Sequence, residues 1–225
     1  MNFPENYYLN FHVHQQKPAE NEIVIQSLFL QDDLIVQHSD KIFFTAGLHP
    51  WHADILVRAE INSKLEELVR SKTILAIGEA GIDKLKGPEL KIQEEVFKYH
   101  IDAADKYNLP LIVHSVKAHN EILKLKKETK SKVPWVIHHF NGSKQMAFDF
   151  IENGFYLSVC HHIKSSKSKL SEYFCDLPID KIFLETDDFR IDLKHLYEIA
   201  ALKMGVNIDT LKQQLMLNLK TLLNE

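Results

Sequence analysis

The stretch Thr73-Ile-Leu-Ala-Ile-Gly-Glu-Ala-Gly-Ile-Asp83 decides the fold. Its first half, Thr73 to Ile77, is near-continuously apolar, as a strand buried on both faces is, and the acids Glu79 and Asp83 follow at once. Downstream, Leu90, Phe97, Ile101 and Ala104 recur at helical spacing, and the pattern stops at Asn108 and Pro110. Pro110 to Val116 is again an apolar run. Strand, helix and strand in that order make a parallel βαβ unit.

The same alternation runs outward in both directions. Further β-like runs are Tyr7 to His14, Glu22 to Leu30, Lys41 to Leu48, Pro134 to His138, Gly154 to Val159 and Lys181 to Glu185, which brings the total to eight. Ile61, Leu65, Leu68 and Val69 form a helical stripe. Ser143 reads as the N-cap of a helix carrying Met146, Ala147, Phe150 and Ile151, stopped by Gly154. A helix with Leu193, Leu196, Ile199 and Ala200 ends at Gly205, and Asp209 is expected to cap a last helix with Leu211, Leu215, Leu219 and Leu222. The fold class is therefore α/β, a TIM-like (β/α)8 barrel. One joint is short. Only Gln15 to Asn21 separates the first two runs, whereas a helical crossover needs a dozen or more residues. Seven extended residues reach about 23 Å, enough to run back along a strand. The barrel is thus expected to be trimmed, with its first crossover helix missing. No linker or composition break interrupts residues 1–225, which read as a single domain.

Composition sets limits. The formal net charge is −4, so no global basic field draws in nucleic acid, and any such site is a local patch. Cys160 and Cys175 are too few for a disulfide framework and point to a reducing compartment. The opening residues carry no basic and apolar leader pattern, and no run is long enough to span a membrane. These features predict a cytoplasmic protein. Histidine is abundant, at 13 residues, and its placement carries the functional reading.

Chemistry in such a fold sits at the C-terminal strand ends. The first run ends His12-Val13-His14, and alternation along a strand sends both imidazoles to one side. The third ends Gly47-Leu48-His49-Pro50, the fourth Gly78-Glu79-Ala80-Gly81-Ile82-Asp83 and the fifth Ile112-Val113-His114. The sixth ends Val136-Ile137-His138-His139 and the eighth Leu184-Glu185-Thr186-Asp187-Asp188. A lone histidine or acid at a strand end is ordinarily a hydrogen-bonded structural residue. Six such ends together are costly to bury without an internal counter-charge, which a divalent metal supplies. Mixed imidazole and carboxylate donors suit zinc, manganese, iron or nickel, with magnesium a less natural fit. No cysteine ends these strands, which argues against a structural zinc site.

The succession HxH, GLHP, GEAGID, PLIVH, VIHHFNG and ETD, spread over nearly the whole chain, resembles the TatD family of metal-dependent deoxyribonucleases. The resemblance implies that His12, His14 and Asp187 hold one divalent ion, that His114 and His138 hold a second, and that Glu79 bridges the two. His138 rather than His139 matches the family ligand, and His49 matches a histidine near the site. The implied reaction is hydrolysis of a phosphodiester in DNA or a small substrate by a metal-activated water, with Asp187 and Glu79 as the catalytic acids.

The substrate-binding surroundings depart from the family pattern. Asn10 stands where the family has an acid, Val116 where it has an arginine suited to clamp phosphate, and Lys84 where it has an aromatic residue. The segment after ETD is shortened to Asp188, Phe189 and Arg190. Lys84, Lys117 and Arg190 are candidate replacement cations, and His161 and His162, after the seventh run, are candidate substrate contacts or an extra ligand. The basic stretch Lys164 to Lys169 reads first as a solvated loop. Two alternatives stay open: an amidohydrolase-type esterase, lactonase or amidase using the same chemistry, and a metal-binding protein without turnover.

Overall fold

Parallel strands in sequential order, with helices between most of them, place the chain in the α/β, TIM-like class. The computed structural model describes residues 6–33, 36, 39–54 and 58–224, so residues 1–5, read above for a leader, lie outside it. The strands are β1 (Tyr8–Val13), β2 (Glu22–Phe29), β3 (Ile42–Gly47), β4 (Ile74–Asp83), β5 (Leu111–Val116), β6 (Trp135–Ile137), β7 (Phe155–Val159) and β8 (Ile182–Leu184). The helices are α1 (Arg58–Arg70), α2 (Leu90–Tyr107), α3 (His119–Thr129), α4 (Lys144–Glu152), α5 (Lys169–Tyr173), α6 (Leu193–Met204) and α7 (Ile208–Leu222). Residues 14–21 contain no helix, so the first crossover is the short return the sequence predicts.

Two compact units result: Met1–Gln26 with His138–Glu225, and Ser27–Ile137. In the first, β1 pairs in parallel with β2 through Tyr8–Glu22, Leu9–Ile23 and Asn10–Val24, and β7 pairs with β8 through Leu157–Ile182 to Val159–Leu184. Val13 bridges to Asp187, just beyond β8. Phe11 and Phe183 stack with centroids 4.0 Å apart. The Tyr197 hydroxyl of α6 donates to the Leu9 carbonyl at 2.9 Å and accepts the Leu9 amide at 3.1 Å, which pins helix to strand. From α7, the Asn218 amide donates to the Ile179 and Ile182 carbonyls, both at 2.9 Å. The cap of α7 corrects the sequence reading. Asn207, not Asp209, accepts the Thr210 amide, while Asp209 sits in the first turn and pairs with Lys212 at 3.3 Å. Both are good capping residues, and the one whose backbone is still extended takes the role.

In the second unit β3, β4, β5 and β6 pair in parallel. Here too the sequence reading is extended: β4 does not stop at Ile77 but continues to Asp83, buried along all ten residues. Glycine makes this possible. A Cβ on Gly78 or Gly81, at φ 122° and 155°, would collide with the Ile112 or His114 carbonyl of β5. Helix α2 lays Phe97, Ile101 and Ala104 against the sheet and closes on Asn108 at φ 53°. It also sends in two polar side chains. Gln93 accepts the Asp83 amide at 2.8 Å and donates to the Asp83 and Pro88 carbonyls, which fixes the turn after β4. His100, fully buried, accepts the Leu48 amide at Nε2 (3.0 Å) and donates from Nδ1 to the Val96 carbonyl (2.8 Å).

Burial pushes His100 from 6.5 down to about 4, only partly opposed by the Val96 carbonyl. The unfolded chain therefore takes up this proton first. Its contribution is present above 6.5 and is lost as pH falls toward about 4. Between pH 7 and pH 5 this group alone is expected to remove about 2 kcal/mol of stability. Urea unfolding of His100→Gln, which keeps a donor and an acceptor, is expected to lose that much of the pH slope. An unchanged slope would show that His100 is not the group responsible.

Candidate functional site

In the first unit, β1 delivers His12 and His14 to one face, as period-two alternation requires. Their Nε2 atoms lie 3.3 Å apart, and His14 Nε2 lies 3.4 Å from Asp187 Oδ1. Asp187 is held against β1 by its amide, which donates to the His12 carbonyl at 2.9 Å. The His138 ring lies 4.3 Å from that of His12, and its Nδ1 is 3.5 Å from Glu185 Oε1. These contacts bring four of the expected residues together: His12, His14, His138 and Asp187. They also add two that the sequence reading passed over. Glu185, with no solvent exposure, accepts the His139 amide at 2.7 Å, and its Oε2 has no hydrogen-bond partner among the described residues. His139 Nδ1 lies 2.7 Å from Asp187 Oδ2. Both His139 and Asp187 adopt the left-handed region, at φ 46° and 53°. That local turn aims their side chains, and no periodicity reports it.

Burial works to raise both carboxyls of this unit, and the imidazoles win. For Asp187, hydrogen bonds from His139 and His14 hold the group below the ordinary carboxylate range. For Glu185, the contact with His138 does the same. His161 and His162, in the short turn after β7, close on His139, with ring centroids 5.9 Å and 5.2 Å from it. Burial, then the neighbouring imidazoles, pushes His162 down to about 4 and His161 in the same direction.

In the second unit, Glu79 Oε1 lies 2.7 Å from His114 Nδ1 and 3.1 Å from His49 Nε2. The Trp51 amide donates to His49 Nδ1 at 3.2 Å, so the other nitrogen carries the proton and faces Glu79. His114 Nε2 is 3.3 Å from Asp83 Oδ2, which also accepts the Trp51 indole at 2.7 Å. Burial raises the Asp83 carboxyl, but His114, Trp51 and the Leu85 amide together hold it well below its usual value. Asp83 and Trp51 are further residues the sequence reading missed. Trp51 sits in a one-turn helix behind Pro50, and no apolar period marks its role.

The candidate cations are placed differently. Lys84 pairs with Glu121 at 2.6 Å, Lys117 is exposed at φ 55°, and Arg190 lines a groove with Lys164 and Ser165. Within the units, four groups bring ligand atoms within 4.8 Å of one another. They are His12–His14–Asp187, His138–Glu185–Asp187, His49–Glu79–His114 and His139–His161–His162.

The departure at Asn10 has a local reason. Its amide donates to Glu22 Oε1 at 2.8 Å and Thr186 Oγ1 at 2.9 Å, while its oxygen accepts the Thr186 amide at 2.9 Å. Glu22 in turn accepts the Ala19 amide at 3.0 Å. An acid at position 10 would face Glu22 with no proton between them.

A TIM-like fold whose strand ends carry buried imidazole–carboxylate sets defines a class of proteins built to hold divalent ions. The chain belongs to the TatD related DNase family, whose sequence model matches residues 26–223. The Bacillus subtilis (strain 168) uncharacterized metal-dependent hydrolase YabD is 31% identical over 157 residues, covering 68% of this chain and 61% of that protein. The 3'-5' ssDNA/RNA exonuclease TatD of Citrobacter rodentium is 28% identical over 163 residues, covering 70% and 61%. The chain thus spans about three fifths of the length of these curated relatives. The crystal structure of the YJJV TatD homolog of Escherichia coli K12 aligns with a TM-score of 0.77 at 21% identity, over 97% of this chain and 98% of that one, and shows the shared fold.

The Asn10 network yields a test. Asn10→Asp is expected to cost roughly 2–3 kcal/mol at pH 8, because the donor to Glu22 becomes a second buried acid. The shared proton then has a folded pKa above its unfolded one. The deficit should shrink as pH falls toward about 4, where the unfolded variant also begins to take up that proton. Urea unfolding at the two pH values measures it. A variant as stable as wild type at pH 8 would rule out the network as a constraint.

Proposed function

We propose that the chain is a metal-dependent hydrolase that cleaves phosphodiester bonds in DNA or a small substrate. His12, His14, Glu79, His114, His138 and Asp187 are its proposed ligands to two divalent ions of the zinc, manganese, nickel or magnesium kind. The observation that carries this reading is the pairing of buried acids with imidazoles in both units. His114 supports it: with Nε2–H directed at Asp83, Nδ1 lies beside Glu79, where it would be available to an ion. Glu185 supports it from the first unit, as a wholly buried carboxylate with one oxygen lacking a hydrogen-bond partner among the described residues.

Divalent ions bound there supply Lewis acidity toward a phosphoryl oxygen and toward water. The chain's own groups orient and move protons. Asp187 stays ionised at neutral pH and is the proposed proton acceptor, oriented by His139 and His14. Glu79 is the second catalytic acid, steered by His49 and His114. His49 is a proposed substrate contact, and His161 and His162 are proposed substrate contacts or an extra ligand. Lys84 and Lys117 complete the set expected from the sequence, Lys84 being already engaged by Glu121. Family membership and the exonuclease name of the Citrobacter relative support a nucleic-acid substrate.

One observation favours a second reading, the amidohydrolase-type esterase, lactonase or amidase. Val116 offers no guanidinium, and the nearby Lys84 is committed to Glu121. Two further points belong to the proposal. Residues 1–225 act as one domain, supported by a family match that runs through both units. The protein works in the cytoplasm, supported by the unpaired Cys160 and Cys175. No helix among the described residues is long and apolar enough to cross a membrane.

Purified chain supplied with manganese is expected to hydrolyse bis(p-nitrophenyl) phosphate and single-stranded DNA and to stop on addition of EDTA. Asp187→Ala is expected to lower kcat/KM by at least about 100-fold. Cleavage of p-nitrophenyl esters alone would establish the second reading instead. Bound metal with no turnover on any of these substrates would leave a binding protein.

A further inference from the structure

We propose that His139, His161 and His162 form an additional site for a zinc-class divalent ion, separate from the six ligands proposed above. All three residues lie in the first unit. His139 follows β6, and His161 and His162 open the one-turn helix His161–Lys164 after β7. Each offers a ring nitrogen, and the three nitrogens lie within 4.8 Å of one another. The His161 and His162 rings are 4.2 Å apart and tilted by 36°.

Hydrogen bonds set which nitrogen His139 and His161 present. His139 Nδ1 lies 2.7 Å from Asp187 Oδ2, so that nitrogen carries the proton and Nε2 the lone pair. His139 Nε2 is buried and has no hydrogen-bond partner among the described residues. His161 repeats the arrangement with sulfur. The Cys160 thiol lies 3.6 Å from the Thr186 carbonyl, to which it donates, and its sulfur is 3.3 Å from His161 Nδ1, from which it accepts. His161 Nε2 is thereby the nitrogen with a lone pair. A buried acceptor without a donor is costly, and a cation relieves it.

The surroundings fit an ion rather than a further proton network. The Phe189 ring packs 4.3 Å from His161 and 5.4 Å from His139 by centroid, so one side of the cluster is apolar. The donor set is all imidazole, which suits zinc, nickel or copper and not magnesium or calcium. Zinc binds imidazole nitrogen at about 2.0–2.1 Å, so tetrahedral donors sit roughly 3.4 Å apart. The spacing of up to 4.8 Å is wider than that, so binding would draw the three nitrogens inward. Three imidazoles leave a fourth position for water or an anion. His161 also lines the groove that carries Lys164, Ser165 and Arg190.

The test uses the full chain, stripped with chelator and dialysed against a fixed free zinc concentration. The His161→Gln/His162→Gln double variant is expected to hold one zinc fewer per chain than wild type by elemental analysis. Because the result is a difference, it does not depend on whether the other ligand sets load. A second measurement needs no variant. Histidine carbethoxylation mapped by mass spectrometry should show His161 and His162 protected by zinc at least about 10-fold in wild type. Equal zinc content in the two folded chains overturns the proposal. So does unchanged reactivity of both histidines in zinc-saturated wild type.

Discussion

The constraint on which the rest of the structure depends is electrostatic. Glu79, Asp83 and Glu185 are almost wholly removed from solvent, at 2%, 4% and 0% exposure, yet they sit among apolar strands. A carboxylate in such surroundings must be neutralised, protonated or strongly hydrogen-bonded. Here each has imidazole beside it: His114 and His49 on Glu79, His114 on Asp83, His138 on Glu185. The histidines beside Asp83 and Glu185 hold those carboxyls below their ordinary range, and the acids orient the histidines. Neither set is tolerable in the core alone. That interdependence is why the histidine excess concentrates at strand ends.

Holding such groups requires backbone placed to a fraction of an ångström, and the fold supplies it through polar contacts from the helices. In the second unit α2 does most of this. Its apolar stripe makes the packing, while His100 fixes the segment leading to His49 and Gln93 fixes the turn after Asp83. In the first unit the Asn10–Glu22–Thr186 network ties β1, the short return and the segment after β8 into one buried system. Within the short return the Ala19 amide is satisfied by the Glu22 carboxylate rather than by a helix.

The sequence made part of this legible for definite reasons. Alternation along β1 places His12 and His14 on one face whatever follows, and the apolar stripes of α2 and α7 predict their buried sides. Residues aimed by a single left-handed turn were not legible. Glu185 and Asp187 lie two apart, yet φ at Asp187 is left-handed and the two acids meet different histidines, which no residue period reports. The resemblance points to His138 rather than His139 as the ligand, whereas the turn at His139 gives both an acid partner. Trp51 and Asp83 meet across a one-turn helix that carries no hydrophobic period. The cap of α7 failed in the same way, since Asn207 and Asp209 have nearly equal propensity and only backbone conformation separates them.

The departures from the family pattern follow from the same electrostatics. Replacing an acid by Asn10 lowers the negative charge beside Glu22 and converts a repulsion into two donated hydrogen bonds. Placing His139, His161 and His162 around one point adds donors near Asp187 without adding acids. The strand ends of the first unit are therefore richer in imidazole and poorer in carboxylate than the family motif alone implies.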